Sequence, residues 1–122
     1  MLIAVPANLV ANWVAEFRRW LGVALTVFAV DNSSGMRAKD QLAGFAATRA
    51  PAHSIAIVSY EMLQRHGECL QAMERPIELL VADEAHRLRD AGGARSRALA
   101  AVPTKRRILL SATPLPNSLG EL

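Results

Sequence analysis

Two adjacent acids, Asp83 and Glu84, stand where the short apolar run Leu79–Asp83 ends. Adjacent carboxylates can divide two tasks, since one can hold Mg²⁺ through its water shell while the other polarises an attacking water. A second apolar run, Ile108–Ser111, ends in the small residues of Ser111–Thr113. The carboxyl ends of neighbouring parallel strands meet at one crevice, so we expect both sets of side chains to face it. The two strand ends together indicate the chemistry of nucleotide hydrolysis.

An isolated Asp-Glu pair has a plainer interpretation, in which two acids end a strand and cap the next helix. Here the tetrapeptide Asp-Glu-Ala-His occupies positions 83–86, and Ser111–Thr113 follows after about one helix and one strand, as a βαβ step requires. We therefore assign Mg²⁺ binding through water to Asp83 and activation of the water to Glu84. We assign nucleotide sensing to His86, which we expect to hydrogen-bond to Ser111–Thr113.

The composition describes one domain or part of one. The chain has 122 residues, of which 52% are hydrophobic, and no apolar run approaches the roughly 20 residues of a membrane span. The single cysteine, Cys69, excludes an internal disulfide and a cysteine-rich zinc site, and it favours a reducing compartment. A formal net charge of +3 suits a polyanionic partner but is weak evidence by itself.

Apolar, β-branched runs alternate with segments of helical spacing. The runs are Leu2–Val5, Leu25–Val30, Ile55–Ser59, Leu79–Asp83 and Ile108–Ser111. The helical segments are a first helix between Asn8 and Gly22, then Met36–Thr48, Tyr60–Met73 and Ser96–Ala101. Strands that are apolar on both faces and alternate with helices indicate a parallel sheet covered on both sides. The predicted fold class is α/β, with about five mostly parallel strands and helices on both faces.

The first helix has the clearest pattern. Its apolar stripe comprises Leu9, Trp13, Phe17 and Trp20. Because these positions share one helical face, we expect the aromatic side chains to be core residues and not platforms for nucleobases. Asn8 is the predicted N-cap, and Gly22 is the predicted end of the helix.

Four stretches carry a family resemblance. They are Val5–Glu16, with the pattern P-x-x-L…W…E; Ile57–Glu61, with I-x-S-Y-E; Leu80–Arg89, with D-E-A-H-R-L-R; and Arg107–Leu122, with S-A-T-P-L-P-N-S-L-x-E-L. In this order they resemble the Swi/Snf-type family of double-stranded DNA translocases, within the helicase superfamily with two RecA-like lobes. The first helix and the segment His86–Arg89 look most like the homologous-recombination branch of that family.

The resemblance implies a partial RecA-like P-loop NTPase lobe that uses ATP and Mg²⁺ and moves on double-stranded DNA. It implies that Ser111, Ala112 and Thr113 couple the nucleotide state to DNA-contacting loops. It also implies that the DNA-contacting residues are Pro6, Asn8, Ser59 and Tyr60, which touch phosphates without reading bases. The alternative for Ser59 and Tyr60 is a strand end with a buried ring. Nucleosomes and recombinase proteins are further partners that the resemblance suggests, and a membrane is not.

The chain departs from the family's pattern at the phosphate loop, which bears on activity, and at Ser111-Ala112, which bears on the choice of subfamily. The chain contains no G-x-x-x-x-G-K-[ST] phosphate-binding loop. In the family that loop precedes the first strand of this chain and a second lobe follows, so residues 1–122 are expected to be the later part of an N-terminal ATP-binding lobe. The 122-residue chain is predicted to be inactive by itself. Ser111-Ala112 also replaces the family's usual Thr-Gly or Ser-Gly.

Two other functions remain open from the sequence. The Ser-Ala-Thr run at 111–113 favours a D-E-A-H-type RNA helicase fragment, although Trp13 and Ser59–Glu61 disfavour it. The missing phosphate loop favours a non-catalytic remnant that binds DNA or a protein partner. Nuclear localisation is expected if the source is a eukaryote, and cytoplasmic localisation otherwise.

Overall fold

The computed structural model describes residues 1–32, 37–48, 53–88 and 93–113. The strands are β1 (Leu2–Val5), β2 (Thr26–Val30), β3 (Ser54–Ser59), β4 (Leu80–Ala82) and β5 (Arg107–Leu109). The α-helices are α1 (Val10–Leu21), α2 (Ala38–Ala46), α3 (Tyr60–His66) and α4 (Ala94–Ala100). Short 3-10 helices span Ala7–Leu9, Gly22–Ala24, Gly67–Ala72 and Ala85–Leu88. Each predicted strand is found: Leu2–Val5 has the predicted bounds, and the bounds of the other four are shifted by one or two residues.

The five strands form one parallel sheet in the order β2-β3-β1-β4-β5. β1 is central, with Ile3 opposite Ile57 of β3 on one side and opposite Val81 of β4 on the other. β4 in turn pairs with β5, where Val81 lies opposite Ile108. The end of β4 therefore lies between the ends of β1 and β5. This order confirms the predicted parallel sheet and brings the two functional strand ends together.

The sheet is covered on both faces, as predicted. Alternate residues of β1 point to opposite sides: Leu2 and Ala4 belong to one buried cluster, and Ile3 and Val5 to the other. The first cluster includes residues of α2, α3 and α4, whereas the second includes Val10 and Val14 of α1. Among the described helices, α1 covers one face of the sheet, and α2, α3 and α4 cover the opposite face.

The first helix departs from its predicted pattern at both ends. Its N-cap is Leu9 and no side chain caps it, because a 3-10 turn at Ala7–Leu9 precedes the helix; the predicted N-cap, Asn8, is wrong. Gly22 ends the helix as predicted, with a φ of 57° that favours glycine. Every residue from Arg18 to Ala24 is exposed, so the last turn does not pack on the sheet. Trp20 is 72% exposed, and its prediction as a core residue is wrong.

The other predicted helices agree with the structure in place but not always in length. The predicted helix Tyr60–Met73 is divided, because α3 gives way at Gly67 to a 3-10 helix. Helix α4 begins two residues before the predicted Ser96. Met36, Arg89 and Pro114–Leu122, which belong to predicted elements or motifs, lie outside the described residues.

Candidate active site

Asp83 is the most extensively hydrogen-bonded residue of the candidate site. It directly follows β4, and its backbone N–H donates to the carbonyl oxygen of Ala4 at the end of β1 over 2.8 Å. Its carboxylate oxygen Oδ1 accepts from the backbone N–H of Glu84 over 2.8 Å, and Oδ2 accepts from Trp13 Nε1 over 2.9 Å. The tyrosine hydroxyl of Tyr60 donates to the Asp83 carbonyl oxygen over 2.6 Å. The acid is thus fixed through both its backbone and its side chain.

Trp13 is a member of this site that the sequence interpretation assigned only to the core. Its ring is half-buried and stacks on Phe17, with ring centroids 6.1 Å apart, as a core aromatic would. Its indole nitrogen, however, reaches an acceptor 70 residues away in the sequence. A partly buried indole N–H requires an acceptor, and the side-chain acceptors near Trp13 in the sequence, Asn8, Asn12 and Glu16, are all exposed. That need was the signal in the sequence.

Tyr60 and Ser59 are buried, at 4% and 2% exposure, so the alternative of a strand end with a buried ring is the one found. The Ser59 hydroxyl accepts from the backbone N–H of Met62 over 3.2 Å and caps α3. Burial, reinforced by the negative charges of Asp83 and Glu84, raises the pKa of Tyr60 well above its ordinary value. The phenol therefore stays a hydrogen-bond donor. Both hydroxyls have hydrogen-bond partners within the chain, and contact of Ser59 and Tyr60 with DNA stays a prediction.

Glu84 and His86 form the more open half of the site. Glu84 has a φ of 53°, in the left-handed region that residues other than glycine seldom adopt. This backbone conformation turns the chain sharply after Asp83, so that two successive acids face different surroundings. His86 Nδ1 lies 3.3 Å from Glu84 Oε2, and the two side chains are 27% and 30% exposed, respectively. Glu84 is therefore accessible to solvent, as a carboxylate that activates water must be.

The end of β5 meets this half of the site. The backbone N–H of Ala85 donates to the carbonyl oxygen of Leu110 over 2.8 Å, which ties the turn after β4 to β5. His86 Nδ1 lies 3.1 Å from Ser111 Oγ, so the predicted hydrogen bond between them is confirmed. Ser111 Oγ also accepts from the backbone N–H of Thr113 over 3.3 Å. Ala112 and Thr113 are exposed.

The two remaining predicted DNA-contacting residues differ in accessibility. Pro6, which precedes the first 3-10 turn, is buried, whereas Asn8 within that turn is exposed. Both follow β1, at the same edge of the sheet as Asp83. Their contact with DNA stays a prediction.

The donor chemistry fits a magnesium ion that is held mainly by water and phosphate. Each oxygen of the Asp83 carboxylate accepts one hydrogen bond, which leaves further lone pairs for the water shell of a cation. Among the described residues, no group of three or more His, Cys, Asp or Glu side chains converges as a complete protein cage for a metal. One carboxylate with waters and substrate phosphates is the usual arrangement for Mg²⁺.

A cavity of about 630 Å³ lies elsewhere, at the amino-terminal ends of the strands. Its lining includes Met1, Phe45, Ser54, Met73, Arg75 and Ile77. None of the predicted site residues borders it. The cavity is therefore separate from the candidate active site. Within the part of the chain that is described, no helix is long and apolar enough to cross a membrane.

The parallel order and the acids at the carboxyl end of an inner strand define the class as a RecA-like α/β lobe. A solved structure titled "Sulfolobus solfataricus SWI2/SNF2 ATPase core in complex with dsDNA" has the same fold over 99% of this chain, with a TM-score of 0.65 and 23% sequence identity. The chain covers 23% of that structure. A model of the SNF2-related domain matches residues 1–122, and the chain belongs to this family.

Curated relatives agree with this assignment over almost the whole chain. Protein CHROMATIN REMODELING 25 of Arabidopsis thaliana is 38% identical over 98% of this chain, and the DNA repair and recombination protein RAD54B of Gallus gallus is 39% identical over 98%. The DNA repair and recombination protein RAD54-like of Homo sapiens is 35% identical over 98%. The chain spans only 13%, 12% and 16% of these relatives, respectively.

The family also corrects one reading of the sequence. The letters D-E-A-H at 83–86 do not place the chain in the D-E-A-H branch, because the SNF2-related family is a different branch. The RNA helicase alternative, which rested on Ser-Ala-Thr at 111–113, has no support among these relatives.

Proposed function

We propose that this chain forms the later part of the first ATPase lobe of a DNA translocase that hydrolyses ATP to move along double-stranded DNA. The observation that carries the proposal is the placement of Asp83 and Glu84 after an inner strand, with His86 linking Glu84 to Ser111 after the adjacent strand. A carboxylate for the metal, a carboxylate for water and a relay to a second strand end are the parts that such hydrolysis requires.

The proposed division of tasks follows from how the two acids are held. Asp83 is bonded at both oxygens and would hold the water shell of Mg²⁺ in a fixed direction. Glu84 is partly exposed and would accept hydrogen bonds from the attacking water. When bound, Mg²⁺ would supply charge neutralisation at the transferred phosphoryl group. His86 Nδ1 lies close to both Glu84 and Ser111, so a change in the hydrogen bonding of one reaches the other.

The proposed partners are ATP, Mg²⁺ and double-stranded DNA. The solved structure with this fold is, by its title, in complex with double-stranded DNA, and the relatives are named for DNA repair, recombination and chromatin remodelling. These names support a role in recombination repair or chromatin remodelling, with recombinase proteins or nucleosomes as further partners. They support a nuclear location if the source is a eukaryote.

The absence of a phosphate-loop motif favours a second candidate function, which is non-catalytic binding. Without a G-x-x-x-x-G-K-[ST] sequence the 122 residues carry no element that cradles the ATP phosphates. We propose that the chain by itself does not hydrolyse ATP and that activity requires the protein that carries the remaining lobe elements. A domain that only binds DNA or a protein partner is the alternative.

The test is DNA-stimulated phosphate release by the full-length protein that carries this chain. Glu84→Gln should lower the rate by about 100-fold or more, because a positioned base contributes on the order of 10²–10⁴. Glu68→Gln removes an acid from the exposed surface of a 3-10 helix and should keep the rate within about twofold. Wild-type protein that binds DNA but releases no phosphate would support the non-catalytic alternative instead.

A further inference from the structure

Every polar group of Asp83 has a partner in this structure. The backbone N–H bonds to Ala4 and Oδ1 to the next residue's N–H, as the tight turn after β4 requires. The other two partners are side chains that come from elsewhere: the Trp13 indole bonds to Oδ2, and the Tyr60 hydroxyl bonds to the carbonyl oxygen. The turn after β4 does not require these two bonds, so they indicate a separate role for Trp13 and Tyr60.

The second tryptophan of α1, Trp20, provides a comparison, because its indole bonds within its own helix. Trp20 Nε1 donates to Glu16 Oε2 over 2.9 Å, only four residues away on the same exposed helical surface. Trp13 passes over local acceptors and bonds across 70 residues to the acid predicted to serve the metal. Both indoles are satisfied, so the need for an acceptor does not account for the choice of Asp83.

Trp13 and Tyr60 reach Asp83 from two different elements. Trp13 lies in α1, which follows β1, and Tyr60 is the first residue of α3, which follows β3. Since the strand order is β3-β1-β4, the hydroxyl extends past the central strand to reach the backbone after β4. Helices α1 and α3 cover opposite faces of the sheet, so Asp83 is held from both faces.

We propose that Trp13 and Tyr60 are positioning residues for Asp83, the indole fixing the rotamer of the carboxylate and the hydroxyl fixing the backbone that carries it. The inference rests on the proposed function, in which this carboxylate holds the water shell of Mg²⁺. A charge-assisted bond to one oxygen restricts rotation of the carboxylate while leaving lone pairs free. Partners of metal-binding carboxylates commonly have this role, and their loss costs about 10- to 100-fold in metal affinity or activity.

The first measurement reads the position of the carboxylate directly, without ATP or metal. In the 122-residue chain, three-bond couplings at the Asp83 β-carbon should report one χ1 rotamer for wild type and for Trp20→Phe. Trp13→Phe keeps an aromatic ring against Phe17 but removes the N–H, and it should show averaging among rotamers. A single rotamer in Trp13→Phe would overturn the proposal, because the carboxylate would then be held without the indole.

A wild-type measurement protects this test against a variant that fails to fold. The chain has two tryptophans, and their indole N–H protons should exchange with solvent at different rates, with Trp13 the slower. Equal exchange would show that the Trp13 bond is not maintained and would overturn its positioning role. Tyr60→Phe, which keeps the buried ring, should shift the carbonyl ¹³C resonance of Asp83, and an unchanged resonance would refute the hydroxyl's part.

The second measurement is kinetic and uses the full-length protein. Trp13→Phe should raise the Mg²⁺ concentration for half-maximal ATP turnover and lower kcat by about tenfold, with little change in the KM for ATP. Trp20→Phe is the matched control on the same helix. An identical Mg²⁺ dependence in Trp13→Phe and Trp20→Phe would contradict the positioning role and show that Trp13 contributes only packing. Wild-type protein without turnover would refute the proposed function, while the rotamer measurement would still decide whether Trp13 positions Asp83.

Discussion

The fourth and fifth strands are neighbours in the sheet, yet the segments that follow them are held in different ways. After β4, Asp83 has a partner for each polar group and lies among the ends of three elements. After β5, Ser111 is joined to His86 and to its own turn, while Ala112 and Thr113 are exposed. The contrast indicates a rigid end that fixes an acid and a more open end that can respond to its surroundings.

The edge position of β5 contributes to this difference. β4 lies between β1 and β5, whereas β5 has one described neighbour, and Ile108 and Leu110 are 46% and 38% exposed. Burial on both sides limits the movement of the β4 end, because displacement would break ladder bonds and expose apolar surface. The β5 end lacks that constraint among the described residues. Its links to the site are the His86–Ser111 contact and two backbone bonds, from the N–H of Leu110 to the carbonyl oxygen of Ala82 and from the N–H of Ala85 to that of Leu110.

The largest effect is expected from a comparison of one substitution after β4 with one after β5, both in the full-length protein. Asp83→Asn should lower ATP hydrolysis by about 100-fold or more, because it removes the negative charge that we propose faces Mg²⁺. Ser111→Ala removes the hydrogen bond to His86 and should lower DNA-stimulated hydrolysis by roughly fivefold, equivalent to about 1 kcal/mol. Phosphate release with and without DNA measures both. Equal losses would break the distinction between a rigid and a responsive end.

A smaller effect is expected where β5 begins. The Arg107 guanidinium donates to the carbonyl oxygens of Leu99, Ala100 and Val102 over 2.7, 3.2 and 3.0 Å and so closes the end of α4. Arg107→Lys keeps the charge but loses the fork of donors, and it should lower the free energy of unfolding by about 1.5 kcal/mol.

Arg106→Lys is the matched control for that measurement, because Arg106 is exposed and adjacent. Urea denaturation of the 122-residue chain should place it within about 0.5 kcal/mol of wild type. If Arg107→Lys behaved like Arg106→Lys, the start of β5 would be as loosely anchored as its end.

Removal of the α3 cap should have a somewhat smaller effect, next to Tyr60, which bonds to the rigid end. Ser59→Ala deletes the acceptor for the backbone N–H of Met62 and should cost about 1 kcal/mol of unfolding free energy. Ser59→Gly should cost only a few tenths of that amount, since glycine is tolerated at N-caps. Urea denaturation separates the two, and equal costs would mean that the hydroxyl does not act as a cap.

The smallest effect is a displaced titration at Tyr60, which is the chain's one tyrosine. Because burial raises its pKa above the ordinary 10.0, absorbance of the phenolate at 295 nm should not rise near pH 10 while the protein is folded. Below that pH both the folded and unfolded states keep the proton. Above it the unfolded state loses the proton first, so the free energy of unfolding should fall as pH rises.

Tyr60→Phe is the control, because it removes this contribution while other titrations remain. A phenolate signal with an ordinary midpoint in the folded chain would show that the ring is accessible. The rigid end would then be more open than the structure indicates.

Several features of the site were available from the sequence. The acids after an apolar run, the hydroxyl residues after the next run and the spacing between them predicted neighbouring strand ends, and the His86–Ser111 contact followed. Strand ends are predictable because apolar runs mark buried strands and parallel order brings their carboxyl ends to one edge. Tyr60 was the harder residue, since an aromatic ring with a hydroxyl fits a buried position and a surface position equally well.

The sequence by itself determined the alternation of strands and helices, the two apolar faces of the sheet and the family, because each is set by local periodicity or by short motifs. The tertiary structure decided which donors reach Asp83, that Tyr60 is buried and that Trp20 is exposed. These depend on how far a helix extends over the sheet and on bonds between residues such as Trp13 and Asp83, 70 positions apart. Periodicity assigns a residue to a helical face, whereas packing alone assigns its polar atom to a partner.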